Sequence, residues 1–206
     1  MLFQLLAAAT AAAQVPLPEY RPGDAFIFTG GRVERVRHVQ GAALSSSARG
    51  RASWIRSRNP VVPILGWRFA DGEGRRTIGG DPGGLWPLRD GGSVRFRMVT
   101  EFVREKKRLR AVALWSCRTG ASAPVSVPAG TFDALPIVCE RYSPTTMRLA
   151  ERIRFDWAPE VGHYVRRQST LYASGEKSDY RLVAALTGES ATEARISALA
   201  EHGKDK

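Results

Sequence analysis

The sequence predicts an antiparallel all-β fold, as a single curved sheet, sandwich or partly closed barrel, with a short C-terminal helical tail. Two observations carry this. No 3.6-residue apolar period is sustained before residue 189, whereas period-two alternation recurs in segment after segment. The 20 Gly and 12 Pro do not collect in one block; they punctuate the chain roughly every 8 to 15 residues. With 206 residues the chain is long enough for one domain with a sizeable core.

The N-terminus reads as an export leader. Residues 2–9, LFQLLAAA, form a short apolar core, and Ala11 and Ala13 satisfy the A-x-A rule for cleavage near Gln14. A bilayer-spanning helix needs about 20 apolar residues, so no transmembrane segment is expected once the leader is removed. One departure is that no Lys or Arg precedes the apolar core. The expected organisation is a signal peptide over 1–13, a β domain over 14–188 and a helical or disordered polar tail over 189–206. The expected location is the periplasm or another exported compartment.

After the leader, Pro22-Gly23-Asp24 reads as a turn, Ala25–Phe28 as a strand and Gly30-Gly31 as a second turn. In RVERVRHVQG, Val33 is out of phase with Val36 and Val39 by one position, which predicts a bulge. Residues 41–60 form a hairpin candidate closed around 48–51. NPVVPILGW is excluded as a central strand because its two prolines remove ladder donors. Residues 70–92 hold eight glycines and read as the longest loop, with Leu85-Trp86-Pro87-Leu88 as an apolar plug. In SVRFRMVTEF, Val94, Phe96 and Met98 alternate with Arg95 and Arg97. RLRAVALWSCRTG is apolar on both faces at its centre, which places it inside the sheet. Ile153, Phe155 and Trp157 alternate with Arg152, Arg154 and Asp156, and Pro159–Gly162 turn the chain back through Tyr164. KSDYRLVAAL is the last strand, and Ile196 and Leu199 give the tail its helical spacing.

The stretch SVPAGTFDALPIVCERY reads as a corner feeding a core strand. Pro128 fixes φ and extends Val127, and Gly130 permits the reversal. Leu135, Ile137 and Cys139 then share one face, as Ala113, Trp115 and Cys117 do on the preceding long strand. Two cysteines on the apolar faces of neighbouring strands, in an oxidising compartment, predict a Cys117–Cys139 disulfide. Closing a loop of about 23 residues would stabilise the domain by about 3 kcal/mol. The hazard is a register in which residues 122–130 pair between those two strands.

The motifs VPAGTF (Val127–Phe132, followed by Asp133) and WAPEVG (Trp157–Gly162) resemble those of a family of exported bacterial β-proteins classed as a domain of unknown function. Ala158 and Glu160 depart from the aromatic and the glycine usual there. The resemblance spans the C-terminal 120 residues or so. It implies an antiparallel β fold in the cell envelope and brings no catalytic residue with it.

Net charge is +11, carried by 26 Arg against only 5 Lys. An Arg, Ala and Gly bias is what GC-rich coding writes unaided, and an excess of positive charge also draws a protein to anionic surfaces. Arg95, Arg97, Arg152 and Arg154 could together form a basic sheet face. Export turns that face towards anionic lipid or an envelope polymer and away from nucleic acid. Of the five tryptophans, Trp54, Trp67, Trp115 and Trp157 are binding candidates if a concave sheet holds an amphiphile, and ordinary core otherwise. His163 beside Asp156 is the weak catalytic candidate; no nucleophile elbow accompanies it. The three histidines (His38, His163, His202) lack zinc spacing, so neither a metal nor another cofactor is expected. The expectation is a non-enzymatic binding module for an envelope component or amphiphile. An envelope enzyme using His163, or a structural partner of other envelope proteins, are the alternatives.

Overall fold

A computed structural model of the chain describes residues 14–41, 43–47, 53–70 and 72–204. The expected leader, 1–13, lies outside them, as does the expected hairpin tip, 48–51. The first hairpin is β1 (Ala25–Phe28) and β2 (Arg32–Arg35), turned by Gly30 and Gly31, both at φ 72°. That left-handed conformation is one that glycine adopts without strain. An antiparallel meander follows: β3 (His38–Gln40), β4 (Ala43–Ser47), β5 (Ser53–Ser57), β6 (Gly66–Phe69), β7 (Gly72–Gly79), β8 (Ser93–Arg104) and β9 (Lys107–Thr119). The rest comprises β10 (Ala123–Val127), β11 (Gly130–Tyr142), β12 (Leu149–Ala158), β13 (His163–Leu171), β14 (Lys177–Leu186) and the helix α1 (Glu193–Gly203).

All the strands join one antiparallel sheet in the order β2-β1-β14-β13-β12-β11-β9-β8-β7-β6-β5-β4-β3, with β10 beside β11. Its edges, β2 and β3, are consecutive in the chain, with only Val36 and Arg37 between them. Three residues of extended chain reach about 11 Å at most. The sheet therefore curls until its edges meet, although no ladder closes it. The broken valine phase in RVERVRHVQG marks this change of edge, and the expected bulge is absent there: one edge strand ends and the opposite edge begins.

A second correction concerns residues 70–92, which contain a full interior strand, β7. The glycines that suggest a loop serve a close approach. A Cβ on Gly74 would stand 2.3 Å from the Trp67 ring and 2.8 Å from Phe102 Cβ. Trp67 lies across the strand and supplies the apolar cover that glycine lacks. The plug is as expected, with Leu85 and Leu88 buried in the main core.

The inner face of the curl carries that core: Phe96 and Met98 from β8, Trp115 and Cys117 from β9, Ile137 and Cys139 from β11, Phe155 and Trp157 from β12. Cys117 and Cys139 stand directly opposite one another and are joined by a disulfide. The hazardous register is avoided because β11 is shared along its length. β10 takes Gly130–Ala134 and β9 takes Ile137–Tyr142. β1 is buried on both sides, Phe26 and Phe28 towards the main core, Ala25 and Ile27 against Ile196 of α1. The helix begins where the Thr192 hydroxyl accepts the Arg195 N–H, as an N-cap does.

Candidate functional site

Curling the sheet leaves a cavity of about 460 Å³ between its inner face and the 60–64 loop. Its apolar wall is Met98, Ala113, Trp115, Ile153 and Phe155, each an inward position of a strand whose alternation is legible in the sequence. The volume falls within the range of small-molecule pockets.

One end of the cavity is a buried polar cluster drawn from four distant parts of the chain. The 14–21 segment is pinned by paired backbone hydrogen bonds between Val15 and Leu88, and by Arg58, which donates to the Pro18 carbonyl at 2.9 Å. It brings Tyr20 to His163, with Tyr20 Oη 2.7 Å from His163 Nδ1. A register shift at Asp156/Trp157 places His163 opposite Ala158 and Tyr164 opposite Trp157. The His163 ring stacks on Phe26 at 3.8 Å between centroids, which fixes its plane. From β2 comes Glu34. Its Oε1 accepts from Tyr164 Oη at 2.6 Å and from Arg32 Nη2 at 2.8 Å, and its Oε2 accepts from Arg56 Nη1 at 3.2 Å. Arg56 belongs to β5, so this ion pair spans the gap that backbone pairing leaves open.

Burial pushes the Glu34 carboxyl up, but Arg56, His163 and Arg32 outweigh it and hold the group well below the ordinary carboxylate range. Burial dominates at His163 and lowers it below 6.5, so the ring is neutral. Burial likewise raises both Tyr20 and Tyr164, with the Glu34 charge adding to the effect. Because Nε2 faces the ionised Glu34 carboxylate, the single imidazole proton is assigned to Nε2, which leaves Nδ1 to accept from the Tyr20 hydroxyl. Nε2 stands 3.7 Å from Glu34 Oε2, beyond hydrogen-bond length, and has no hydrogen-bond partner among the described residues. Glu34 is saturated by donors and is no free base. The cluster is a lock across the opening of the curl, with one imidazole N–H left over.

At the cavity's other end are Arg76 and the Arg141–Glu151 pair, bonded at 2.9 Å. Arg76 Nη1 donates to the Ile64 carbonyl at 2.7 Å, and its guanidinium covers the Trp67 ring at 4.5 Å. Arg167 lies over Phe155 at 5.9 Å. The other guanidiniums that line the cavity are committed: Arg32 and Arg56 to Glu34, Arg35 to Glu193, Arg58 to Pro18.

The sequence candidates fall in different places. His163 is in the site, and the carboxylate beside it is Glu34. Asp156 is buried and bonded to Arg154 at 2.8 Å, at a position alternating with the inward Phe155 and Trp157. Trp115 lines the cavity, and Trp157 is core, packed edge-on against Trp86 at 5.2 Å. Trp54 and Trp67 stand opposite each other on β5 and β6 and line a separate groove of about 840 Å³. On the outer face, Arg152 bonds Glu140 at 2.9 Å and Arg154 bonds Asp156, whereas Arg95 and Arg97 are exposed on β8. Tyr20, Arg32, Glu34, Arg56, Arg76 and Tyr164 are the residues sequence reasoning misses. The one available signal is Glu34 itself, a lone acid among arginines and valines in RVERVR. No group of His, Cys, Asp and Glu among the described residues could hold a metal ion.

No protein-family model matches the chain, and no curated protein matches it in sequence. Among solved structures it is similar to the hypothetical lipoprotein YmcC from Escherichia coli (K12), with a TM-score of 0.51 and 9% identity over 80% of this chain and 84% of that one. A candidate exported protein with YmcC-like fold from Bacteroides fragilis NCTC 9343 gives 0.40 at 13% identity, over 85% of this chain and 100% of that one. A candidate lipoprotein from Parabacteroides distasonis ATCC 8503 gives 0.41 at 13%, over 84% and 100%. At 9% identity the likeness to YmcC establishes the fold.

Proposed function

We propose that this chain is an exported β-protein of the cell envelope that binds an amphiphile or other small envelope component inside the curl of its sheet, without transforming it. The observation that carries the reading is the cavity of about 460 Å³, apolar along one wall and polar at both ends. Export is supported by the leader pattern at residues 1–13 and by the Cys117–Cys139 disulfide, which suits an oxidising compartment. The description of YmcC as a lipoprotein agrees with it. Binding without chemistry is supported by the commitments around His163, whose Nδ1 is engaged by Tyr20 and whose Nε2 faces a saturated carboxylate. Among the described residues no helix is long and apolar enough to cross a membrane.

Native mass spectrometry of the protein purified from its own host tests this. The expected spectrum shows one small molecule per chain, lost on denaturation and absent from Ala113→Phe, which fills the apolar wall. Bare protein in both samples would sink the reading.

A further inference from the structure

The proposed cavity binding leaves open which head group the site reads, and the charges that line it decide. We propose that the occupant is a single-chain anionic amphiphile, with its carboxylate or phosphate at Arg76 and its hydrocarbon chain along Met98, Trp115 and Phe155; this rests on the binding reading above. The other arginine heads at the cavity are spoken for by Glu34, Glu151, Glu193 or the Pro18 carbonyl. Arg76 and Arg167 have no carboxylate partner among the described residues.

Of these two, Arg76 is built as a receptor. One N–H is spent on the Ile64 carbonyl, and Trp67 supports the guanidinium plane. A guanidinium carries five N–H donors, so most remain for a planar or tetrahedral oxyanion, which it can grip bidentately. Burial is the largest influence on the Arg76 guanidinium and disfavours its charge; Glu151 acts against burial, but that carboxylate is itself bonded to Arg141, which acts the other way. A bound anion would supply the missing charge. The volume of about 460 Å³ suits one short chain with a compact head and is too small for a two-chain lipid. A cationic head would meet Arg76 and Arg167 without a counter-charge. A neutral one would leave Arg76 as it is.

The test is calorimetric titration of the mature protein with decanoate, decyl phosphate, decanol and decyltrimethylammonium, repeated on Arg76→Gln and Arg97→Gln. Arg97 lies on the outer face, so its variant removes the same charge away from the cavity. The expected order is both anions at least about tenfold tighter than decanol, with the ammonium weakest, since hydrogen bonds to a charged group are the strong ones. R76Q should bring the anions down to the decanol level, and R97Q should change nothing. Whichever anion binds tighter identifies the head as carboxylate or phosphate. Equal binding of decanol and decanoate, or an R97Q loss matching that of R76Q, would overturn the head-group assignment while leaving cavity binding intact. No binding of any probe would remove the cavity reading itself, and this inference with it. If R76Q fails to fold, by circular dichroism, the wild-type order alone decides.

Discussion

The device of a carboxylate held between two arginines recurs in the chain, and Glu34 inside the curl and Asp179 outside it make the sharpest contrast. Inside, Glu34 lies between Arg32 and Arg56 with Tyr164 as a further donor, and its side chain is 11% exposed. Outside, Asp179 takes a two-point grip from Arg166, at 2.9 and 2.8 Å, and a further contact from Arg181 at 3.1 Å, with its side chain 29% exposed. Arg166 lowers the Asp179 carboxyl, as Arg56, His163 and Arg32 lower Glu34. The chemistry matches; the medium does not. Water can replace every partner of Asp179, whereas removing Glu34 leaves partly buried guanidiniums and a buried phenol facing one another.

Breaking the inner device should therefore have the largest effect. Glu34→Ala is expected to destabilise the fold by about 4 kcal/mol, within the range for removing one partner of a buried pair. Urea unfolding with an unchanged slope would report it. The strands β2 and β5 should also lose amide-exchange protection first, because the Arg56–Glu34 pair links them across the gap. A loss under about 1 kcal/mol would show that the inner pair is as solvated as the outer one.

The Cys117–Cys139 bond sharpens the comparison by removing medium from it, since a covalent link neither screens nor titrates as an ion pair does. Reducing it should cost about 3 kcal/mol by the chain-entropy account of a 22-residue separation. That cost should be the same at low and high salt. A salt-dependent cost would mean that the staple acts mainly by holding the charged outer strands.

The staple is readable in the sequence and Glu34 is not, for one physical reason. Period-two alternation is local, so Trp115, Cys117, Ile137 and Cys139 announce their face within a few residues of themselves. Tyr20 and His163 are 143 positions apart, and Glu34 and Tyr164 are 130 apart. Such contacts exist only once β1 and β2 have wrapped onto β14 and the sheet has curled. Asp156 is the instructive near miss. It lies on the strand beside His163, but alternation assigns it to the side away from Phe155 and Trp157, and the register shift at Trp157 carries His163 two places beyond it. The strand β7 is illegible for a related reason. Gly74 reads as a breaker until Trp67, on the neighbouring strand, is known to cover it.

His163 gives the inner device a pH signature of moderate size. Its folded-state pKa is lowered by burial, so the unfolded chain takes up a proton first. Stability is then fully present above the ordinary value of 6.5 and is lost as pH falls through it towards the folded value. Glu34 has the same sign at lower pH, with its contribution present above 4.5 and lost on acidification below it. Comparing urea midpoints at about pH 7.5 and about pH 5.5 should show the wild type weakening and His163→Gln losing most of that slope. An unchanged slope in the variant would place the pH dependence on other groups.

The outer device should show the smallest effect. Asp179→Asn keeps the side-chain shape and one acceptor oxygen, and removes the charge that Arg166 and Arg181 share. Exposed pairs contribute about 0.2 to 1 kcal/mol, and the two-point grip by Arg166 argues for the upper end, about 1 kcal/mol at low salt. Because Arg166 and Arg181 are 29% and 51% exposed, mobile ions reach them. Raising ionic strength from about 0.01 M to about 1 M shortens the Debye length from about 30 Å to about 3 Å and should erase most of the difference. The Glu34→Ala deficit should survive the same change nearly intact, because the carboxylate itself is only 11% exposed, against 29% for Asp179, and its Tyr164 donor is buried. Equal salt sensitivity at both sites would mean that water enters the cluster at Glu34 as freely as it reaches Asp179, and the seam between the edge strands β2 and β3 would then be an open, hydrated slot.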